Sequence, residues 1–250
     1  MPTFPTTSIM NISVVIPAYN EQQYISACLN SLSKQTKAPF EIIVVDNNSS
    51  DKTCEIVRRQ FPHVRLIHEP KQGMAHARNA GYNAARGTII ARCDADCRPP
   101  ADWISQIEKQ FTDTSVNVVT GPTEFYDYPF AVTPGMIRCM RVVKNSIGYA
   151  LTYGPNHALR THVWNKIAHT TCTNDQRIHE DGDLGFHLHE AGFEVHIQPD
   201  LMMIASARRL IRHPYEIMID YPRRLEYTLK IHDPSIKFKF FELYKALLPR

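Results

Sequence analysis

A chain of 250 residues with 43% hydrophobic and 21% charged side chains holds enough apolar material for a full core, which excludes disordered and collagen-like classes. Its formal net charge of +3 is too small for this length to leave an electrostatic footprint for nucleic acid. Six cysteines (Cys28, Cys54, Cys93, Cys97, Cys139, Cys172) occur without a Cys-x-x-Cys pair, several of them inside apolar runs, which predicts buried reduced thiols and a cytosolic setting.

The opening MPTFPTTSIM lacks a basic segment followed by an apolar one, and no stretch approaches the roughly 20 apolar residues of a membrane span, so neither export nor insertion is expected. Short β-branched runs then alternate with segments of helical spacing. The pattern predicts strands at Ile12 to Ile16, Glu41 to Val45, Val64 to His68 and Thr88 to Cys93, with helices at Glu21 to Ser33, Lys52 to Gln60 and Met74 to Arg86. Such alternation implies an α/β fold with a mostly parallel central sheet covered by helices on both faces. Asp51-Lys52-Thr53 is a cap signal for the second helix and Gly87 for the end of the third. Beyond a helix from Asp102-Trp103 come an apolar run, Val116 to Thr120, and GPTEFYDYPF, which reads as a loop. Residues 134–170 and 179–192 read mainly as helix, Phe193 to Ile197 as a strand, and Pro214 to Arg250 as amphipathic, basic and aromatic.

In an open α/β sheet, ligands sit beyond the carboxyl ends of the strands. The residues that follow these apolar runs are Pro17-Ala18-Tyr19-Asn20-Glu21, Asp46-Asn47-Asn48-Ser49-Ser50-Asp51 and Asp94-Ala95-Asp96, so three polar clusters converge on one sheet edge. Alternate acids on an extended turn present hard oxygen ligands that suit Mg²⁺ or Mn²⁺, and a metal there would bridge a diphosphate. An isolated Asp-x-Asp is more often a solvated turn or helix cap; its place at a strand end beside two other polar strand ends favours the functional reading.

The segments VVIPAYNEQQYI, IIVVDNNSSDKT, GMAHARNAG, the DAD triplet and HEDGDLGFHLHEAGFEV, in that order over residues 12–197, resemble the inverting family 2 glycosyltransferases of the GT-A fold. The resemblance implies a GT-A, Rossmann-like catalytic domain over residues 1–205, with a nucleotide-sugar half at about 11–100, an acceptor half at about 101–205, and an amphipathic C-terminal extension at 206–250. It implies that Pro17, Ala18, Tyr19 and Glu21 cradle the nucleoside, that Asp46 bonds the base, and that Arg78 lies in the segment approaching the donor. Asp94 and Asp96 would make the ribose and metal contacts, with Mn²⁺ or Mg²⁺ as cofactor. Asp181 corresponds to the catalytic base that takes the acceptor's proton. Glu180 beside it would orient the acceptor, and Asn156, in GPNHALR, would line the acceptor side. As acids of a helical first turn, Glu180 and Asp181 also have an ordinary structural explanation. Arg208-Arg209 would contact a diphosphate or an anionic acceptor if it is more than a solvated basic turn.

The implied partners are a nucleotide-diphosphate sugar, with a uridine donor favoured as common in that family, and a glycan or lipid-linked acceptor, as in polysaccharide biosynthesis. No Gln-x-x-Arg-Trp element occurs, so single transfers are expected rather than processive synthesis. The tail IKFKFFELYKALLPR (236–250) is either a helix packed on the domain or a peripheral anchor to an anionic inner membrane face. Other chemistries fit less well. Pro17-Ala18-Tyr19 stands where a dehydrogenase needs Gly-x-Gly-x-x-Gly. A sugar nucleotidyltransferase would carry a glycine- and Arg/Lys-rich loop there, and a non-catalytic sugar-nucleotide-binding protein would have no use for Asp181. Asp46 to Asp51 lacks the glycine and terminal glutamate of a calcium loop. Twelve histidines invite a zinc reading, but His-Glu-x-x-His starting at His179 would need histidine where Asp183 stands, so most are expected to be ordinary surface or core residues. One of His196 or His213 is a weaker candidate for an extra metal ligand.

Overall fold

The computed structural model describes residues 10–173 and 177–237. Its first half is β1 (Ile12–Ala18), α1 (Ile25–Ser33), β2 (Glu41–Asp46), α2 (Thr53–Gln60), β3 (Arg65–His68), α3 (Met74–Ala84) and β4 (Ile89–Arg92), within a few residues of the predicted elements. There follow α4 (Trp103–Phe111), β5 (Val118–Thr120), β6 (Thr123–Phe125), α5 (Thr133–Ile147), β7 (His157–Arg160) and α6 (Thr161–Ile167). The chain then forms α7 (Glu180–Glu190), β8 (Val195–Ile197), β9 (Met203–Ala205), α8 (Arg208–Arg212), a π-helical turn (Glu216–Asp220) and α9 (Tyr221–His232).

Seven strands form one sheet in the order β3-β2-β1-β4-β7-β5-β8. The first four run parallel, β7 runs antiparallel between β4 and β5, and β5 pairs parallel with β8. A small second sheet pairs β6 with β9. Because β2 and β3 lie on one side of β1 and β4 on the other, the strand order reverses between β1 and β4, and a crevice opens beyond their carboxyl ends. The sheet is apolar on both faces, with side chains alternating between them. Val14, Ile16, Ile42, Val44 and Ala91 pack into the core with α1 and α4, whereas Val15, Ile43, Val45 and Ile90 join Tyr82, Trp164, Leu184 and Leu188 on the opposite face. Arg92 shares the face of Ile90, which points its guanidinium toward α3 and α7 rather than to solvent.

Three expectations are corrected. Residues 134–170 are mainly helical, in α5 and α6, but not throughout, since β7 enters the sheet between two strands; a four-residue run has no period to separate strand from helix, and only its neighbours settle the matter. GPTEFYDYPF is not wholly loop, because Thr123–Phe125 pairs with β9. Gly87 does not cap α3, which ends at Ala84; a Cβ at Gly87 would lie 2.4 Å from the Asn11 carbonyl, so glycine serves the close approach to β1.

The segment from residue 206, as far as it is described, packs on the body formed by the preceding residues. Leu225 and Leu229 of α9 join Val143 and Tyr149 in a third apolar cluster with Ile236 against it, and burial of each leucine contributes about 1.5–3 kcal/mol. A Cβ at Gly182 would sit 2.6 Å from Leu225 Cδ1, so glycine lets α9 meet the start of α7. The expected anchor at 236–250 lies, from residue 238 onward, outside the described residues. Among the described residues no helix is long and apolar enough to cross a membrane. All six cysteines are unbridged; Cys28, Cys93 and Cys97 are buried and the rest half-buried.

Candidate active site

The crevice is built by two strand-end turns held to each other. After β1 and β2 the chain turns through Asn20 (φ 56°) and Asn48 (φ 67°), left-handed conformations that asparagine tolerates better than other side-chain-bearing residues. Asn20 Oδ1 accepts from the Ser50 N–H (2.8 Å), the Glu21 N–H donates to Thr53 Oγ1 (2.8 Å), and the Gln22 N–H donates to Asp51 Oδ2 (3.0 Å). Asp51 also accepts from the Thr53 N–H just ahead of α2, whose N-cap residue Lys52 makes no side-chain cap hydrogen bond. Asn47, buried beside Asp46, donates to the carbonyls of Glu69 and Lys71 and accepts from Gly73 N–H, fastening residues 69–73 as the opposite wall. Pro17, Ala18, Tyr19, Glu21, Asp94 and Asp96 line the resulting open cleft, together with Asn47, Gly73, Arg208 and Arg209.

Two of the carboxylates on this cleft hold one guanidinium. Arg208 Nε donates to Asp96 Oδ2 (2.8 Å), and its Nη2 donates to Glu21 Oε1. Burial raises the Asp96 carboxyl to about 6, with Asp94 adding to the effect and Arg208 opposing it; burial likewise raises Glu21. Glu21 Oε2 is buried with no hydrogen-bond partner. A buried anionic oxygen left over after the available cation is used is what a hard-cation site would leave in its absence. The oxygen donors of Asp94 and Asp96 therefore fit a divalent metal of the Mg²⁺ or Mn²⁺ kind, and do not discriminate between the two.

The second half of the site is a buried polar cluster between β4, α3 and α7. Arg92, with 2% of its side chain exposed, reaches Asp94 Oδ1 with Nη2 (3.2 Å), and Glu180 Oε1 (2.6 Å) and Asp181 Oδ1 (3.8 Å) with Nη1. Arg78, fully buried on α3, donates from Nη1 to the same Glu180 Oε1 (2.9 Å) and to its carbonyl (3.2 Å). Burial works to raise Glu180, but the two guanidiniums outweigh it and hold the carboxyl below its ordinary range. Asp181 is pushed the other way, up to about 7, by burial and then by the Glu180 charge, and its Oδ1 is buried without a hydrogen bond. His157 is lowered to about 3 by burial and by Arg92; it stays neutral, with Tyr82 O–H donating to Nε2 (2.5 Å) while Nδ1–H donates to the Tyr153 carbonyl (3.0 Å).

Most expected site residues thus meet at one sheet edge, with exceptions of role. Asp46 is buried, accepts from the Ser49 N–H and contacts His68, and lies beside the cleft rather than on its lining. Arg78 and Glu180 are paired with each other beneath the site, and the Glu180 carboxylate is turned to the two guanidiniums rather than to the open cleft. Asn156 is fully buried: it accepts from Trp103 Nε1 (2.9 Å) and donates to the Pro122 (3.1 Å) and Leu201 (2.6 Å) carbonyls, which spends its amide on holding loops together instead of lining an acceptor site. The neighbouring Gly154 does border the site, since a Cβ there would lie 3.1 Å from Asp181 Oδ2. Arg208 reaches the acidic triplet and Arg209 lines the same cleft, whereas His196 sits on β8 at the far edge of the sheet among Glu194 and Asp113. Arg92 escaped the sequence reading. Its signal was an arginine inside the apolar run Ile89-Ile90-Ala91, where a charge must find a buried partner.

The comparisons define the class. The sequence pattern of glycosyl transferase family 2 matches residues 13–173, and the chain belongs to that family. Among curated relatives, glycosyltransferase AglE of Haloferax volcanii is 38% identical over 130 residues, 50% of this chain and 42% of the relative. Chondroitin synthase of Pasteurella multocida is 33% identical over 103 residues, 40% of this chain and 11% of the relative. The chain therefore spans less than half the length of either of these relatives. Its fold is that of the GT-A glycosyltransferases. The mannosyltransferase PcManGT of Pyrobaculum calidifontis, solved with GDP-Man and Mn²⁺, superposes with a TM-score of 0.64 at 19% identity, covering 96% of this chain and 80% of that one. TarS 1-349 of S. aureus, solved with UDP-GlcNAc, does so at 0.64 and 17% identity, covering 95% and 70%.

Proposed function

We propose that this chain transfers a sugar from a nucleoside-diphosphate donor to a hydroxyl acceptor by a metal-assisted, inverting displacement. The observation that carries the reading is Arg92, whose single guanidinium touches Asp94 on one side and Glu180 and Asp181 on the other, so the acid pair that would hold the metal and a candidate base flank one centre. The acceptor oxygen bonds to the anomeric carbon as the carbon–oxygen bond to the diphosphate breaks, and the hydroxyl proton passes to an Asp181 carboxylate oxygen. A base with a pKa near 7 is about half ionised at neutral pH and basic enough to take that proton as charge develops. Asp94 and Asp96 would hold a divalent cation, which supplies charge neutralisation at the leaving diphosphate. Arg208 and Arg209, already on the cleft, add positive charge to the same group.

A uridine donor is favoured, as in TarS, with a guanosine donor, as in PcManGT, the alternative; the acceptor proposed is a glycan or lipid-linked saccharide. For a lipid-linked acceptor the chain would work peripherally at a cytoplasmic membrane face through residues 236–250, which co-sedimentation with anionic vesicles would test against a chain truncated at residue 235. The central experiment screens UDP-, GDP- and dTDP-sugars by thermal shift with Mn²⁺ and with EDTA, then assays transfer. Asp96→Ala should lose the metal-dependent shift, and Asp181→Asn should keep it while transfer disappears. Transfer by Asp181→Asn at the wild-type rate would refute the assignment, and donor binding with no turnover across acceptors would favour a sugar-nucleotide-binding protein.

A further inference from the structure

On the far side of α7 from the reaction centre, Cys172, Asp183, His187 and His232 bring a thiol, a carboxylate and two imidazoles together, with one ligand atom from each lying within 4.8 Å of all the others. None of the four belongs to the cleft or to the Arg92 cluster. We propose that they form a structural zinc site that pins α9 and the segment before α7 to the helix bearing Glu180 and Asp181.

The geometry is close to that of a tetrahedral ion. Asp183 Oδ1 is 2.9 Å from His232 Nε2 and 3.4 Å from His187 Nε2, and Cys172 Sγ is 4.0 Å from His232 Nε2. Around zinc with bonds of about 2.0–2.3 Å, ligand atoms stand about 3.3–3.7 Å apart, so small adjustments seat the ion. The chemistry of the set agrees: one sulfur, two imidazole nitrogens and one carboxylate oxygen suit zinc, whereas the all-oxygen pair Asp94 and Asp96 suits a harder ion. Four protein ligands leave no open position, which is the signature of a structural rather than a catalytic centre.

The supporting contacts point the same way. Asp183 is fully buried, and its second oxygen accepts from the Cys172 backbone N–H (2.9 Å), which orients the carboxylate and leaves Oδ1 to face the imidazoles. His232 stacks on Phe186 with ring centroids 4.4 Å apart, which fixes its plane. Among the described residues His187 Nε2 is buried without a hydrogen bond, and it faces the cluster with Asp183 Oδ1 3.4 Å away. Asp183 and His187 stand four residues apart on one face of α7, while Cys172 and His232 come from either side of it in sequence, so one ion would cross-link three segments close to the catalytic carboxylates.

Metal analysis of the full-length protein, purified without chelator, tests this. About one equivalent of zinc per chain is expected, retained in Asp96→Ala and lost in His232→Ala. Metal-stripped wild type titrated with Co²⁺ should show tetrahedral visible bands and a thiolate-to-cobalt charge-transfer band, and Cys172→Ser should lose the charge-transfer band. Chelation should lower the melting temperature of wild type more than that of Cys172→Ser. If His232→Ala does not fold, the cobalt spectrum of wild type decides. Absence of both zinc and the thiolate band in wild type overturns the proposal, as does loss of the band in Asp96→Ala, which would move the ion to the donor cleft.

Discussion

Replacing Glu180 with Gln removes one negative charge from a site where two buried guanidiniums depend on it. Arg92 retains Asp94 at 3.2 Å and Asp181 at 3.8 Å, but Arg78 loses its only carboxylate among the described residues and keeps the Glu180 carbonyl and Asn79 Oδ1. Breaking a buried ion pair by removing one partner costs about 3–5 kcal/mol, and the remaining acids near Arg92 put this variant at the low end, about 3 kcal/mol. For a chain of this size that is a fall in melting temperature of about 6–12 °C. Urea unfolding at constant m-value gives the free energy directly. The double variant Glu180→Gln/Arg78→Met should recover part of the loss, because the abandoned guanidinium goes with it. A loss below about 1 kcal/mol, or no recovery in the double variant, would refute the view that Glu180 is held by Arg78 and Arg92.

The pH dependence of transfer follows from Asp181. Its carboxyl lies at about 7, above the ordinary value, and only the ionised form can take a proton, so kcat/KM should fall about tenfold per unit below pH 7 and level off above it. Because Glu180 contributes to raising Asp181, the Glu180→Gln variant should move that limb to lower pH; a limb that stays in place would mean another group titrates. Gly154→Ala introduces a methyl 3.1 Å from Asp181 Oδ2 and 3.2 Å from Arg92 Nη2, and should lower kcat while leaving the metal-dependent donor shift intact. Arg208→Met removes the cation that now sits on Asp96 and Glu21, so Mn²⁺ alone should bind more tightly at pH 8, read by calorimetry, while the diphosphate donor binds more weakly. Asn156→Ala strands the Trp103 N–H and two carbonyls, each buried group costing about 1–3 kcal/mol, and should destabilise the fold without changing the acceptor KM.

Much of the first hundred residues was legible because its information is local. The alternation of β1 and β2 and the polar residues that end each run need no knowledge of a partner, so Pro17 to Glu21, Asp46 and the Asp94-Ala95-Asp96 triplet could be placed at one edge from the pattern alone. The part from residue 101 onward was less so. Asn156 and Arg160 bracket a strand that looks helical in isolation, and its place between β4 and β5 is a choice made by the sheet. Sequence position likewise says nothing about which buried charges meet: Arg92 and Glu180 are 88 residues apart, and Arg208 and Glu21 are 187 apart.

Sequence by itself therefore determined the fold class, the family and the carboxylates available to the chemistry, since strand period, turn residues and motif order are properties of neighbours along the chain. The tertiary structure decided how those groups are poised. It set Asp181 high and Glu180 low although they are adjacent, because only one of them lies against two guanidiniums. It turned Asn156 inward and gathered Cys172, Asp183, His187 and His232 around one point, because desolvation and Coulomb interaction depend on distance in space and not on separation along the chain.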